Sequence, residues 1–275
     1  PNPNPNPNPN PNPNPNHYEV AGPDTPGGAL VLELLGPSLE DLRRSGSESE
    51  SEGEGMSTTK LSGEGLVRIG RSLVHLLHQL HLAGFVHNDV KPANIVLDAR
   101  DSAQQPSCLH AAGGTPSGRW HLIDFGSSTR AASALTEAGG EGDAGRKEDA
   151  GGDGAGRRAR VPIGTPLFAS VAADEARETR PVDDIESLAY TLAYLSAGRL
   201  PWDGQPDELA AATKRQLLMG SGTTAALTEG VECATAAAAL EALYAEVRRC
   251  QAQGDQGEGG HGEGWFGVEY AALFE

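Results

Sequence analysis

Residues 87–94 read His-Asn-Asp-Val-Lys-Pro-Ala-Asn and bring together side chains that can carry out chemistry. The carboxylate of Asp89 can orient a hydroxyl group and accept its proton, and the cation of Lys91 can offset negative charge in a transition state. Asn94 and, further along the chain, Asp124 offer an amide oxygen and a carboxylate, which are ligands that Mg²⁺ prefers. This set of groups suits phosphoryl transfer to a hydroxyl group.

Two motifs carry these residues in an order that is typical of protein kinases. Residues 87–94 have the spacing H-x-D-x-K-x-x-N, and the Asp-Phe-Gly motif at 124–126 follows a strand-like stretch at 120–123. Further on, the hydroxyl of Thr165 can bridge Asp89 and Lys91, and Asp184 can accept backbone N–H groups of the loop at 87–94. A plain turn would explain Thr165 by itself, and a plain helix cap would explain Asp184. The two upstream motifs favour the catalytic interpretation.

The elements that must position these residues follow from the hydrophobic pattern. The apolar run at 29–35 predicts a buried strand, after which Ser38 caps a short helix with Asp41 in its first turn. A long amphipathic helix is predicted to begin at Gly65 and to end at Gly84, with leucine and isoleucine at steps of three and four. Two further helices are predicted, one from 183 onward and one over about 235–250.

The histidines of this region allow a metal or a structural interpretation. His75, His78 and His81 recur every three residues on the long helix. A helical metal site usually has histidines four residues apart with an acidic partner. We therefore expect structural roles for them, and His87 is expected to form structural hydrogen bonds rather than to act as a base.

Composition limits the classes of function. The chain has 275 residues, with 21 Lys and Arg against 38 Asp and Glu, so its net charge is −17. This excess of acid argues against nucleic-acid binding, and no apolar stretch is long enough to span a membrane. The three cysteines are scattered, which predicts neither a disulfide framework nor a zinc site. They favour a reducing compartment, the cytoplasm or the nucleus.

Low-complexity segments divide the chain. Pro-Asn repeats occupy residues 1–16 and predict a disordered tail before a folded region at 17–275, which includes a short strand at 17–20. Polar or glycine-rich insertions near 45–62, 99–118, 131–160 and 251–264 are predicted to be disordered as well. Since the sequence begins with Pro1 and its first methionine is Met56, we expect a fragment that is cut at its start.

Several longer segments resemble casein kinase 1 proteins. Residues 31–42 (Val-Leu-Glu-Leu-Leu-Gly-Pro-Ser-Leu-Glu-Asp-Leu) are similar to the hinge segment of these kinases. Residues 164–170 (Gly-Thr-Pro-Leu-Phe-Ala-Ser) resemble the segment that the family carries in place of Ala-Pro-Glu, and the match continues without a gap to Leu188. The Leu-Pro-Trp at 200–202 also matches. The resemblance implies an α+β, protein-kinase-like fold, mainly the helical C-terminal lobe with a residual β-hairpin and hinge of the N-terminal lobe.

The resemblance also implies a serine/threonine protein kinase that uses ATP and Mg²⁺. Asp89, Lys91 and Thr165 would be catalytic, and Asn94 with Asp124 would hold the metal. Six residues would form the nucleotide site: Leu32, Glu33, Leu35, Asp41, Val96 and Ile123. In this site the backbone of Glu33 and Leu35 would bond the adenine, with Leu32 as gatekeeper. Asp41 would meet the ribose, and Val96 and Ile123 would form an apolar floor.

The chain departs from the family before the hinge, where an N-terminal lobe should stand. No Lys or Arg precedes Arg43, so neither the strand lysine nor the glycine-rich loop of a kinase is present, and Leu32, Val96 and Ile123 are expected to be exposed. The alternative to an active kinase is therefore a pseudokinase that serves as a binding or scaffold module. In the family that the chain resembles, basic residues at this place favour acidic or phosphate-primed protein substrates, so the resemblance implies such substrates for the arginines at 157–160. The alternative is a solvated charge run in a loop.

Overall fold

The computed structural model describes residues 32–47, 63–104, 118–131, 162–220, 225–254, 268 and 270–273. The Pro-Asn repeat, the strand predicted at 17–20, most of the acidic insertion near 45–62 and the arginines at 157–160 lie outside the described residues. The chain divides into two units, residues 1–35 and residues 36–275.

The first unit contributes only residues 32–35 to the description, and these have no regular secondary structure. Leu32 is 64% exposed and Leu34 is 86% exposed, so the prediction of a buried strand is wrong for these residues. A strand is stable only when its N–H and C=O groups pair with a neighbour, and no strand lies beside residues 32–35 in the described part of this unit. The expected β-hairpin of an N-terminal lobe is therefore not observed in the described residues.

The second unit combines helices with two small antiparallel sheets, which gives α+β content consistent with a kinase C-terminal lobe. The helices, in chain order, are α1 (Leu39–Ser47), α2 (Gly63–Leu82), α3 (Ala99–Gln104), α4 (Val171–Asp174), α5 (Pro181–Ala197), α6 (Asp207–Met219), α7 (Ala225–Thr228), α8 (Ala234–Gly254) and α9 (Tyr270–Leu273). The strands are β1 (Phe85–Val86), β2 (Ile95–Leu97), β3 (Trp120–Leu122) and β4 (Thr129–Arg130). Strand β1 pairs with β4, and β2 pairs with β3.

The core of this unit lies where α2, α5 and α8 pack together. Each helix turns the apolar face that the sequence predicts toward this core, since Ile69, Leu188 and Val247 are all buried. The helices begin and end close to the predicted residues. Gly84 follows α2 with a φ of 82°, in the left-handed region that favours glycine, and α8 runs from residue 234 to 254.

Two helix boundaries differ from the predictions for identifiable reasons. Helix α5 begins at Pro181 rather than at Asp183, because proline is favoured in the first turn and the carboxylate of Asp183 accepts the N–H of Arg180 at 2.6 Å. Residues 99–104 form α3 inside the insertion expected to be disordered, since the carboxylate of Asp98 accepts the N–H of Arg100 at 2.9 Å and caps the first turn. None of the described helices has the length and apolar character needed to cross a membrane.

Candidate active site

The loop at 87–94 lies between the two small sheets. Strand β1 precedes it, and a 3₁₀ turn at Pro92–Asn94 leads from it into β2. Strand β3 runs antiparallel to β2, and the N–H of Ile123 after β3 donates to the carbonyl of Asn94 at 2.9 Å. This hydrogen bond places the start of the Asp-Phe-Gly motif beside the end of the loop, so the two motifs that are distant in sequence meet in space.

Asp89 lies at the centre of a hydrogen-bonded cluster. Its Oδ2 accepts from Lys91 Nζ at 2.7 Å and from Asn94 Nδ2 at 3.0 Å, and its Oδ1 accepts from Thr165 Oγ1 at 2.8 Å. Lys91 Nζ also donates to Thr165 Oγ1 at 2.8 Å. The predicted contact of Thr165 with both Asp89 and Lys91 is therefore present, and the side chain of Asp89 is held in one orientation.

The environment of Asp89 favours its charged form. Burial of the side chain opposes ionisation, but hydrogen bonds from Lys91, Thr165 and Asn94 and the charge of Lys91 together lower the pKa of Asp89 below its usual value. The carboxylate is therefore ionised at neutral pH and can accept a hydrogen bond from an incoming hydroxyl group.

Asp184, near the start of α5, holds the beginning of the loop in shape. Its two oxygens accept the backbone N–H groups of His87 at 2.7 Å and Asn88 at 2.8 Å, as its position predicts. Asn88 has a φ of 69°, a left-handed conformation that is uncommon for residues other than glycine. These two charge-assisted hydrogen bonds stabilise that conformation.

Three further side chains complete this support, and one of them, Tyr270, was missed by the sequence analysis. His81 is fully buried, and its Nε2 hydrogen-bonds Asp184 Oδ2 at 2.8 Å while its Nδ1 contacts the hydroxyl of Tyr270 in α9. His87 has the expected structural role, since its Nε2 bonds the carbonyl of Ile123 at 3.0 Å. Tyr270 gave no signal in the sequence, because only the packing of α9 on α2 brings it to His81.

The segment at 162–170 brings Thr165 to Asp89 through a close backbone approach. Gly164 has a φ of 83°, and a Cβ at this position would lie 2.4 Å from the carbonyl oxygen of Asn88. Any other residue would therefore push the segment away from the loop. The sequence predicts the contact of Thr165, but only the structure explains why glycine precedes it.

Lys214 in α6 fixes the same segment from the opposite side, and sequence analysis did not select it. This side chain is fully buried, and its Nζ donates to the carbonyls of Pro166 and Ala169 and to Asp174 Oδ2, at 2.6, 2.8 and 2.9 Å. Trp202 Nε1 donates to the carbonyl of Leu167 at 2.9 Å. The only sequence signal was position, since Lys214 lies four residues from Ala210 and from Leu218 on the buried face of α6.

Asn94 and Asp124 carry oxygen atoms of the type that Mg²⁺ binds. The amide nitrogen of Asn94 donates to the carbonyl of Asp89 at 2.9 Å as well as to its carboxylate, so the amide oxygen takes no part in these two hydrogen bonds. Asp124 is exposed, and the N–H of Gly126 lies 3.4 Å from its Oδ1. Both donors are hard oxygens, and two protein ligands are usual for Mg²⁺ beside a phosphate.

The residues predicted to bind the nucleotide differ in how the structure holds them. Val96 is only 6% exposed, so the expectation that it forms an exposed floor of the nucleotide site is wrong. An isolated β-bridge joins the backbone of Ser38 to that of Val96 and brings the start of α1 beside it. Ile123 is half-buried, while Leu32 and Glu33 are exposed and Leu35 is half-buried. Asp41 accepts from the N–H and Oγ of Ser38, at 3.0 and 2.6 Å, in the predicted cap of α1.

Comparison with known proteins shows a relationship to a protein kinase of a plant. No family model matches the chain. Casein kinase 1-like protein HD16 of Oryza sativa subsp. japonica is 33% identical to it over 175 residues, which cover 64% of this chain and 20% of the rice protein. The match therefore spans about a fifth of the length of that relative. The similarity supports a relationship of the chain to casein kinase 1-like protein kinases, as the sequence motifs predict.

Proposed function

We propose that the chain transfers the γ-phosphate of ATP to serine or threonine side chains of protein substrates. The observation that carries this proposal is the cluster in which Asp89 accepts hydrogen bonds from Lys91, Asn94 and Thr165. Lys91 and Thr165 hold the carboxylate of Asp89, and a substrate hydroxyl would take a further lone pair of the same group. The kinship with a casein kinase 1-like protein supports the assignment.

In the proposed reaction the substrate hydroxyl oxygen forms a bond to the γ-phosphorus, and the bond from this phosphorus to the β,γ-bridging oxygen breaks, releasing ADP. Asp89 orients the hydroxyl and receives its proton. Its lowered pKa makes it a weak base, so orientation is the larger part of its role. Lys91 Nζ, which touches Asp89 and Thr165, offsets negative charge on the transferring group.

Asn94 and Asp124 would hold the Mg²⁺ ion, which supplies positive charge beside the phosphates when it is bound. The nucleotide would lie against Val96 and Ile123, with the backbone of Glu33 and Leu35 at the adenine and Leu32 as gatekeeper, and Asp41 would serve the ribose. These roles follow from the family resemblance, and so do protein substrates of acidic or phosphate-primed sequence and a cytoplasmic or nuclear location.

A second candidate is a binding or scaffold module that retains this fold without efficient phosphate transfer. The observation that favours it is the state of residues 32–35, which form no strand and expose Leu32 and Leu34. A kinase hinge holds adenine through backbone groups in a fixed extended arrangement, and a segment without regular structure would hold the nucleotide less well.

The experiment that tests the proposal is phosphate transfer by the full chain to casein and to a serine-containing acidic peptide, with γ-labelled ATP and Mg²⁺. We expect Asp89→Asn to lower the rate by a factor of about 10² to 10⁴, because the amide cannot accept the proton. Asp101→Asn is the matched control, since Asp101 is half-buried near the same sheet and bonds only Arg119 N–H and guanidinium groups in the described contacts.

The two candidates give different results in this experiment. Transfer that is lost in Asp89→Asn and kept in Asp101→Asn supports the kinase. Transfer that survives in Asp89→Asn contradicts the assigned role of this residue. A folded wild-type chain that binds protein partners but transfers no phosphate favours the scaffold module.

A further inference from the structure

A second surface of the molecule collects positive charge away from the cluster around Asp89. A groove of about 850 Å³ lies between the end of α6, the last turns of α8 and the residues that follow α4. Arg177, Arg248 and Arg249 line it together with Glu175, Leu218 and Met219. We call this surface the basic groove.

Two more arginines bond to residues that line the basic groove. Arg215 bonds the carboxylate of Glu175, and Arg180 donates to the side chain of Gln251. Three arginines therefore line the basic groove and two more bond to its lining residues, although the net charge of the chain is −17. Since most of the sequence carries an acidic excess, such a concentration of arginine points to an electrostatic partner.

Two arginines at the basic groove share a single carboxylate. Arg177 Nε bonds Glu175 at 2.6 Å, and Arg215 bonds the same carboxylate, so two guanidinium groups share one negative charge. Arg249 pairs with Glu246 at 2.6 Å, and Arg248 donates to the backbone carbonyl of Gly220. The side chains of Arg177 and Arg215 are each 48% exposed, so both present their donors to solvent.

The basic groove also contains an exposed apolar side chain. Met219, the last residue of α6, is 71% exposed, while its neighbour Leu218 is buried. Methionine is flexible and polarisable, and it is common on surfaces that bind other proteins. A ligand that matched this surface would carry an apolar side chain beside its negative charges.

We propose that the basic groove binds a short acidic or phosphorylated segment of a protein partner. Arginine recognises carboxylates and phosphates through paired N–H donors, which suits either form of anion. The net charge of −17 disfavours a long polyanion, but at physiological salt charges beyond about 8 Å are screened, so a short segment senses mainly the arginines. The site is independent of ATP, so it does not depend on the proposed phosphate transfer.

The test measures fluorescence anisotropy of three labelled peptides with the full chain and without nucleotide. The first peptide is rich in glutamate with one leucine, the second has phosphoserine in place of one glutamate, and the third has glutamine in place of every glutamate. We expect the first two to bind, the phosphorylated peptide more tightly, and the third to bind at least about tenfold more weakly. Raising the salt concentration should weaken the first two.

Charge variants then localise the binding. Arg177→Gln combined with Arg215→Gln should weaken binding of the acidic peptides about tenfold, because two partly exposed guanidinium groups are lost. Glu175→Gln should tighten binding several-fold, because it removes the negative charge that the two arginines share and keeps one oxygen as an acceptor. The matched control is Arg68→Gln combined with Arg199→Gln, which removes the same charge at two exposed positions elsewhere.

Circular dichroism and thermal melting of each variant establish that it is folded. The proposal is overturned if neither acidic peptide binds, if the glutamine peptide binds equally well, or if the control pair weakens binding as much as the groove pair. An unchanged or weaker affinity in Glu175→Gln would also contradict it.

Discussion

Two regions of the molecule, the cluster around Asp89 (the catalytic side) and residues 32–35 (the hinge side), are held in different ways. On the catalytic side Asp89 is 8% exposed and accepts hydrogen bonds from Lys91, Asn94 and Thr165. On the hinge side residues 32–35 have no regular structure, and Leu34 is 86% exposed. The difference teaches that the groups proposed to act on the substrate hydroxyl are assembled by contacts within residues 36–275, whereas residues 32–35 form no regular element in the described part of their own unit.

The buried network behind the catalytic side explains its order. Lys214, Trp202 and Asp184 each use a polar group to satisfy backbone atoms of the loop at 87–94 or of the segment at 162–170. A buried polar group that loses its partner costs free energy, so these contacts restrict both segments to one arrangement. If this interpretation is correct, mutations behind the catalytic side will have large effects, and mutations in residues 32–35 will have small ones.

The largest loss of stability is expected for Lys214→Met. This change leaves the carbonyls of Pro166 and Ala169 and the carboxylate of Asp174 without their donor, which should lower the free energy of unfolding by about 3–5 kcal/mol. Urea denaturation measures it. Arg215→Met on the same helix is the control and should cost about 1 kcal/mol or less, because Arg215 is half-exposed. Equal effects of the two changes would contradict the prediction.

Glu186 in α5 should make stability depend on pH. Burial, and then the charge of Asp183, raise the pKa of Glu186 to about 8, and its Oε2 has no hydrogen-bond partner in the described part of the chain. Because the folded-state pKa of Glu186 is raised, the contribution of this group to the free energy of unfolding is complete below about pH 4.5. It is lost as the pH rises toward 8, by up to about 1.4 kcal/mol per pH unit.

Glu186→Gln tests this dependence, because the amide keeps an acceptor for the N–H of Val171 but does not titrate. Urea denaturation between pH 5 and 8 should show a flatter profile for Glu186→Gln than for the wild type. The exposed Glu178→Gln is the control and should retain the wild-type slope. A Glu186→Gln variant that kept the wild-type slope would assign the effect to another group.

A smaller effect is expected for Thr165→Val, which removes the hydroxyl between Asp89 and Lys91. The free energy of unfolding should fall by about 1 kcal/mol. The pKa of Asp89 should rise, because the hydrogen bond from Thr165 is one of the interactions that lower it. Since the folded-state pKa of Asp89 is lowered, its stabilisation is present above about pH 4 and is lost as the pH falls. Titration by carboxyl-carbon NMR measures the shift, and Thr165→Ser, which keeps the hydroxyl, should show none.

The smallest effect is expected on the hinge side, for Leu34→Lys. This side chain is 86% exposed, so the free energy of unfolding should change by about 0.5 kcal/mol or less. The comparison is Leu39→Ala at the start of α1, where a fully buried side chain is lost and about 2–5 kcal/mol is expected. Thermal or urea denaturation of both variants checks this. A large loss in Leu34→Lys would mean that residues 32–35 pack more tightly than their exposure indicates.

Local patterns were enough to predict much of the catalytic side. The repeat of apolar residues at steps of three and four predicts α2, α5 and α8, because a helix places such residues on one face. The cap of α1 by Ser38 and Asp41 was predicted from neighbouring residues and is present. The contacts of Thr165 and Asp184 with the loop at 87–94 were predicted from the order of the motifs and are also present.

Other features depended on distant residues and were missed or mistaken. The apolar run at 29–35 indicated a buried strand, but a strand needs neighbours that its own residues do not specify. Residues 99–104 form a helix within a segment whose polarity indicated disorder.

The amino-acid sequence alone therefore determined which stretches form the main helices and which groups we propose for phosphate transfer, because both depend on residue type and short spacing. The tertiary structure decided that Lys214 reaches the carbonyls beside Thr165, that Tyr270 reaches His81, and that arginines from two separate parts of the chain line one groove. These contacts join residues far apart in sequence. They exist only because α2, α5, α6 and α8 pack in one particular arrangement, which no local pattern encodes.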